Sequence, residues 1–220
     1  MNKSALIVAG GSGLRMGSAI PKQFLLLKGR PLLMHTIEKF YSTQLFDPIL
    51  VVLPESEMEQ WEKLKAEHLF TIEHKIVAGG TTRFESVKSG LKSITHQNGM
   101  IAIHDGVRPL VSVELIRKCM EALDNFSNAI PAIPIVDTLR KIEGTKSEVI
   151  DRNILRAIQT PQCFHLELLR KAYENKENNT TDDASVFEQD GNNIHLVEGE
   201  KSNLKITILS DLIVAEALIK

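Results

Sequence analysis

The sequence predicts an α/β fold: a mostly parallel sheet with helices on both faces and one inserted hairpin arm. Three observations predict it. Short apolar, β-branched runs alternate with segments of helical period. Loops rich in glycine or charge follow several of those runs directly. One stretch, about 136–157, breaks the alternation with two β-like runs around the polar turn "EGTKS".

Taken in order, Ala5 to Ala9 reads as a buried strand that empties into the glycine loop "GGSGLRMGSAIPK". Pro31 opens a helix in which Leu33, Ile37 and Phe40 share a face. Ile49 to Leu53 is a second buried strand, closed by Pro54. Residues 55–68 are helical and polar, with Met58, Trp61 and Leu64 on one side. Ile72 to Val77 reads as a strand before a second glycine turn, and Phe84, Val87 and Leu91 mark the helix after it. "GMIAIHDGVRPLV" is a strand and loop, and Leu115, Ile116, Cys119, Met120 and Leu123 define the next helix. Ala129 to Ile135 is strand-like, and Pro131 and Pro134 predict an irregular or edge course for it. Thr138 to Ile142 and Glu148 to Ile150 form the hairpin. A hairpin is marginal alone, so it is expected to pack on something else, such as a second subunit. "ENKENNTT", 174–181, reads as a polar loop. The whole chain, 1–220, is expected to be one domain with an arm, and the pattern is Rossmann-like.

Composition narrows the function. A net charge of −2 argues against a nucleic-acid or membrane-surface binder, which would be strongly basic. No apolar run approaches the roughly 20 residues that span a bilayer. The N-terminal segment lacks the charged, apolar and small-residue order of a secretory signal. Cys119 and Cys163 are too few and too far apart for a metal knuckle or a disulfide framework. A cytoplasmic location is expected.

The first loop carries Gly10, Gly11, Gly13 and Gly17, but matches neither common phosphate fingerprint. Met16 stands where a dinucleotide loop needs its third glycine, and no Gly-Lys-Ser/Thr triplet follows. Glycines let backbone N–H groups approach phosphate oxygens, and Arg15 and Lys22 add a planar fork and a point charge. Together these suit a polyphosphate; they also suit a solvated turn with two surface cations. In "GGTTRFES", a helix starting near Arg83 aims its N-terminal amides at the same rim, or is simply capped by Thr or Ser. "HDGVRP" sets His104, Asp105 and Arg108 just past a strand. Asp105 is the only candidate for holding Mg²⁺, or else a turn residue bonding its own backbone. His104 reads as a satisfied buried histidine rather than a base. "TDDASVFE" is a helix start with Thr181 or Asp182 as cap and Asp183 in the first turn. Lys205 lies in the apolar stretch "NLKITIL", where a lysine must reach solvent or an anion. Arg152 has no decisive local signal.

His-Glu-x-x-His, Gly-x-Ser-x-Gly and cysteine–histidine clusters are absent, and no general base accompanies the cations. Transfer from a nucleotide to a phosphate monoester fits that lack. With a second pKa of about 6 the attacking phosphate is already dianionic at neutral pH, and needs positioning rather than a base.

In sum these segments, "AGGSGLRMG…PKQFL", "GGTTRFESV", "HDGVRPL", "DTLRKI", "DRN…QTPQCF", "TDDASVFE" and "NLKIT", resemble the 2-C-methyl-D-erythritol 4-phosphate cytidylyltransferases along almost the whole chain. The resemblance implies transfer of CMP from CTP to the sugar-alcohol phosphate with release of pyrophosphate, Mg²⁺ dependence, and a homodimer whose arm crosses to the partner. It implies that Gly10, Gly11 and Gly13 cradle the CTP phosphates, and that Arg15 and Lys22 stabilise the transition state. It places Gly80, Arg83 and Ser86 around the cytidine, and has Asp105 and Arg108 line the floor shared by both substrates. Thr160, Thr181 and Lys205 would meet the methylerythritol phosphate, with Thr138 and Arg152 arriving from the neighbouring arm. Two departures stand out: Gly106 and Val107 replace the alanines of "HDAARP", and Thr81 and Thr82 stand where many relatives are acidic. The first is expected to reshape the acceptor pocket. The alternatives are a ribitol-5-phosphate cytidylyltransferase, or a non-catalytic nucleotide-binding module.

Overall fold

The computed structural model describes residues 1–10, 20–174 and 180–219. The chain begins with β1 (Lys3–Val8), a two-residue-per-strand hairpin β2 (Leu26–Leu27) and β3 (Arg30–Pro31), and α1 (Leu32–Ser42). Then come β4 (Ile49–Leu53), α2 (Glu55–Glu67), β5 (Lys75–Ala78), α3 (Arg83–Ser93), β6 (Met100–Asp105), α4 (Val113–Ala122) and β7 (Asn128–Pro134). The arm strands are β8 (Leu139–Glu143) and β9 (Lys146–Ile150), followed by β10 (Arg156–Ile158) and β11 (Gln162–His165). The chain closes with α5 (Leu166–Glu174), α6 (Asp183–Gln189), β12 (Leu196–Glu198) and α7 (Leu209–Leu218).

The main sheet runs β10-β7-β11-β6-β1-β4-β5, with β12 beside β7. The β1–β4, β1–β6, β4–β5 and β7–β12 pairs are parallel. The inserted β11 lies antiparallel to both β6 and β7. From β1 the chain builds outward through β4 to β5, then returns to place β6 on the other side of β1. That reversal makes a crevice beyond the carboxyl ends of β1 and β6, where open α/β sheets bind ligands.

The period-2 geometry of strands sorts the core into two layers. Ala5, Ile7, Val51 and Ala102 face α1, α2 and α4, together with Ile37, Trp61 and Ile116. Leu6, Leu50, Ile101 and Ile103 face α3, α5 and α6, together with Val87, Leu169 and Phe187. Each of the larger aliphatic side chains, fully buried, contributes on the order of 2 kcal/mol by leaving water. A third, smaller cluster packs Ala215 of α7 and Ile206 on Leu27 and Leu32. There, Lys28 (φ 50°) and Gly29 (φ 77°) make the two-residue turn between β2 and β3, a pair of positive φ values that glycine eases.

The prolines of β7 do not put it at an edge. β7 sits between neighbours, pairing β10, β11 and β12. A proline removes only a donor, and the Pro131 carbonyl still accepts from Gln159 N at 2.8 Å. Cys119 and Cys163, 44 positions apart in sequence, are both buried and pack in one core cluster. Burial pushes the Cys163 thiol up, with Cys119 as its hydrogen-bonding neighbour. The arm is a separate two-stranded sheet, β8 against β9, turning at Gly144. It presents Ile142 and Val149 to solvent, and Val136 and Ile154 flank it exposed. No helix among the described residues is long and apolar enough to cross a membrane.

Candidate active site

Two adjoining cavities open at the crevice. The first, about 430 Å³, is walled by Gly10, Lys22, Gly80, Ser86 and Val107, among others. The second, about 330 Å³, is walled by Arg108, Gln159, Thr160, Thr181 and Asp182, among others. Arg83, Asp105 and Lys205 line both and form the partition between them.

The first cavity is shaped by strand ends. Gly10 stands two residues past the end of β1. Lys22 is buried at the start of a short 3-10 turn, 22–24, behind Pro21. Thr82 caps α3: its hydroxyl accepts from Glu85 N at 3.1 Å. Glu85 Oε2 in return accepts from Thr81 N at 2.7 Å, Thr81 Oγ1 at 2.5 Å and Thr82 N at 3.0 Å. Hydrogen bonds from Thr81 and Thr82 hold the Glu85 carboxyl below its ordinary range. The acidic group of this turn is therefore supplied by residue 85, with threonine at 81 and 82. A side chain at position 80 would begin 2.2 Å from Glu85 Cβ, so only glycine fits that turn as built. Ser86 donates to Thr82 O at 2.9 Å and accepts from Gly80 N at 3.2 Å, and it lines the cavity. The capping reading of this turn is what the structure shows, and Gly80, Arg83 and Ser86 line the first cavity.

The partition is an ion cluster. Asp105 Oδ2 lies 3.0 Å from Lys205 Nζ and 3.3 Å from Arg108 Nε, and Oδ1 lies 3.7 Å from Arg83 Nε. Burial pushes the Asp105 carboxyl up, but Arg83, Lys205 and Arg108 outweigh it and hold it well below the usual carboxylate range. Arg83 is gripped from behind by the buried Asp183, through Nη1–Oδ1 at 2.9 Å and Nη2–Oδ2 at 2.6 Å. Tyr173 donates to Asp183 Oδ1 at 2.6 Å and stacks on Phe84 at 4.7 Å. Burial opposes the Arg83 charge, yet Asp183 and Asp105 overcome it and hold the guanidinium protonated. Lys205 thus finds the anion its apolar neighbours demand, in Asp105, and stays half-exposed.

The second cavity takes its far wall from the start of α6. Asp182 is the cap, accepting from Ser185 N at 3.1 Å and from Gln162 Nε2 at 2.8 Å. Thr181 stands exposed beside it. Val107 lines the first cavity and not the second. At position 106 a Cβ would lie 2.9 Å from Ala9 Cβ, which is why glycine sits there.

Thr138 and Arg152 line neither cavity of their own chain. Thr138 is exposed ahead of β8, and Arg152 is exposed and donates to the Val136 carbonyl. Gly11, Gly13 and Arg15 lie outside the described residues. Sequence reasoning passed over Tyr173, Gln162 and Asn203 as functional residues. Only Asn203 had a usable signal, two positions before Lys205 in "KSNLKIT".

The family model described as 2-C-methyl-D-erythritol 4-phosphate cytidylyltransferase matches residues 4–220. The chain belongs to that family. Among curated relatives of that name, the Bacteroides thetaiotaomicron protein is 45% identical over 220 residues, covering all of both chains. The Bacteroides fragilis protein is 47% identical, again over all of both. The crystal structure of the Thermus thermophilus 2-C-methyl-D-erythritol 4-phosphate cytidylyltransferase superimposes with a TM-score of 0.81 at 34% identity, covering 99% of this chain and 98% of that one. The Anaerococcus prevotii 4-diphosphocytidyl-2C-methyl-D-erythritol synthase gives 0.83 at 32% identity, covering 98% and 97%. The α/β fold with its central, mostly parallel sheet agrees with these structures.

Proposed function

We propose that the chain transfers CMP from CTP to 2-C-methyl-D-erythritol 4-phosphate, giving 4-diphosphocytidyl-2-C-methyl-D-erythritol and pyrophosphate on the non-mevalonate route to isoprenoid precursors. The observation that carries this is the cationic partition: two cavities sharing Arg83, Asp105 and Lys205, in a chain matched to the family from residue 4 to its end. CTP takes the first cavity, with its base toward Gly80 and Ser86 and its phosphates toward Gly10, Gly11, Gly13, Arg15 and Lys22. The acceptor takes the second, with its phosphate toward Arg108 and Lys205, and Thr160 and Thr181 beside it.

Chemically this arrangement needs no base. Lys22, Arg83, Arg108 and Lys205 outnumber Asp105, Asp182 and Asp183, so the walls offset repulsion between the attacking phosphate and the triphosphate. The acceptor phosphate oxygen forms the new bond to the α-phosphorus as the bond to the pyrophosphate oxygen breaks. Lys22 and Arg15 meet the charge that grows on the α-phosphoryl oxygens.

Among the described residues no group of three or more His, Cys, Asp or Glu could hold a metal. Asp105, the one carboxylate in both cavities' shared wall, has its oxygens turned to three cations. We therefore assign the divalent ion to the phosphates of CTP, a common arrangement for Mg²⁺. Thr138 and Arg152 reach the site from the arm of a second copy, which makes the working unit a homodimer; the arm's exposed Ile142 and Val149 support that reading.

Pyrophosphate release measured with each of the four nucleoside triphosphates, against methylerythritol phosphate and ribitol 5-phosphate, tests the assignment. Turnover is expected with CTP and methylerythritol phosphate. A preference for ribitol 5-phosphate would overturn the acceptor, and nucleotide binding without turnover would make the chain a binding module.

A further inference from the structure

The loop from Asp105 to Arg108 supplies two charges to the partition, and its backbone is tied down from behind. His104 is fully buried at the end of β6. Its Nε2 lies 3.2 Å from the Arg108 carbonyl oxygen and its Nδ1 lies 2.9 Å from Thr160 Oγ1. A carbonyl oxygen can only accept, so Nε2 carries the hydrogen. Burial draws the imidazole pKa down to about 4 against the pull of Asp105, so the ring is neutral and Nδ1 is bare. The single hydroxyl proton of Thr160 must then go to Nδ1. Its oxygen is left to accept the Asp105 N–H, which lies 3.1 Å away. The circuit continues on the other side of Thr160. Its carbonyl accepts from Asn203 Nδ2 at 2.8 Å, and the Asn203 carbonyl accepts from Arg108 Nη1 at 2.8 Å.

We propose that His104, locked as its Nε2–H tautomer, and the Thr160 hydroxyl are positioning residues for the acceptor half of the site. They hold the Asp105 amide and the Arg108 carbonyl. Through Asn203 they fix the segment that carries Lys205. Each hydrogen bond in the set has one allowed direction, so the loop has one arrangement, and Arg108, Asp105 and Lys205 stand where it puts them. The Thr160 hydroxyl, expected to meet the acceptor, is engaged with His104 Nδ1 and the Asp105 N–H while the residue lines the second cavity. His104 is no base, since both of its nitrogens are engaged and neither faces a cavity. The inference rests on reading the second cavity as the acceptor site.

Removing the hydroxyl leaves two buried partners unsatisfied, Nδ1 and the Asp105 N–H, and lets the loop shift. A displacement of about 1 Å at a positioning element costs up to about a hundredfold in rate. Two measurements test the proposal on the full chain. Nitrogen NMR of the histidine rings in the unmodified protein is expected to show one ring with a protonated Nε2 and a bare Nδ1, unchanged between neutral pH and mild acid. An Nδ1–H tautomer for His104, or a ring titrating like free imidazole, would overturn it. In the second, Thr160→Val is expected to lower kcat/KM for methylerythritol phosphate about tenfold to a hundredfold, leaving KM for CTP within about twofold. Thr160→Ser, which keeps the hydroxyl, is expected to stay within about threefold. Equal losses in Thr160→Ser and Thr160→Val, or parallel shifts in both KM values, would contradict the proposal. If Thr160→Val does not fold, the NMR result decides. An unmodified protein that prefers ribitol 5-phosphate would overturn the substrate while leaving the tautomer and the serine–valine contrast intact.

Discussion

The partition and the arm are both charged, and they are built on opposite plans. Arg83, Asp105, Arg108 and Lys205 are tied to one another and to Asp183 across up to 100 positions of sequence. Arg152, Arg140 and Lys141 bond only to groups within the arm and its root, and remain exposed. A buried ion cluster must satisfy every charge inside its own chain, because water cannot. An exposed arm faces no such demand. Its charges stay available for a second molecule. The partition is therefore complete in one chain, whereas the arm leaves its charges to solvent.

The largest expected effect breaks the partition from behind. Asp183→Asn strips Arg83 of its buried partner and should lower stability by about 3 kcal/mol, read by urea denaturation. A loss below about 1 kcal/mol would mean Arg83 is held by Asp105 alone. Acid probes the same region. The folded pKa of His104, about 4, lies below the unfolded value of 6.5, so the unfolded chain binds more protons between those limits. Stability should therefore fall as pH drops from about 6.5 to about 4, by up to about 3 kcal/mol from this group. His104→Asn should flatten that part of the profile; an unchanged slope would place the proton elsewhere.

The arm should respond the other way. Arg152→Ala should leave stability within about 0.5 kcal/mol and lower kcat/KM for the acceptor about tenfold to a hundredfold. Mixing Arg152→Ala chains with Lys22→Ala chains should then restore activity. One site of each heterodimer combines an intact Lys22 with an intact Arg152 from the other chain. No restoration would mean that Arg152 serves its own chain. The smallest expected effect is at the α3 cap: Thr82→Ala should cost about 1 kcal/mol of stability.

The comparison also separates what could be read in the sequence from what could not. The rim position of His104, Asp105 and Arg108 was legible because polar residues at the carboxyl end of an apolar strand sit at a sheet rim, although His104 and Asp105 close β6 rather than follow it. Both helix starts were legible because capping is local, and the structure selects Thr82 from Thr or Ser and Asp182 from Thr181 or Asp182. The partnership of Arg83 with Asp183 and Tyr173 was not legible. It joins α3, α5 and α6, and no local period signals a contact 100 positions away. The interior course of β7 was hidden by a rule about donors, which Pro131 escapes by using its carbonyl. Thr160 was named as a candidate through resemblance, but its hydrogen-bond direction is decided only by the placement of His104. Its arm counterparts, Thr138 and Arg152, took their assignment from resemblance alone.

The central claim is that fixed cations act on charge developing at the α-phosphorus rather than on binding of the nucleotide. Lys22→Ala tests it most directly, with CTP affinity measured by calorimetry beside single-turnover pyrophosphate release. The account predicts a rate lower by about a hundredfold or more, with Kd for CTP changed by less than about threefold. Equal losses in rate and affinity would contradict it.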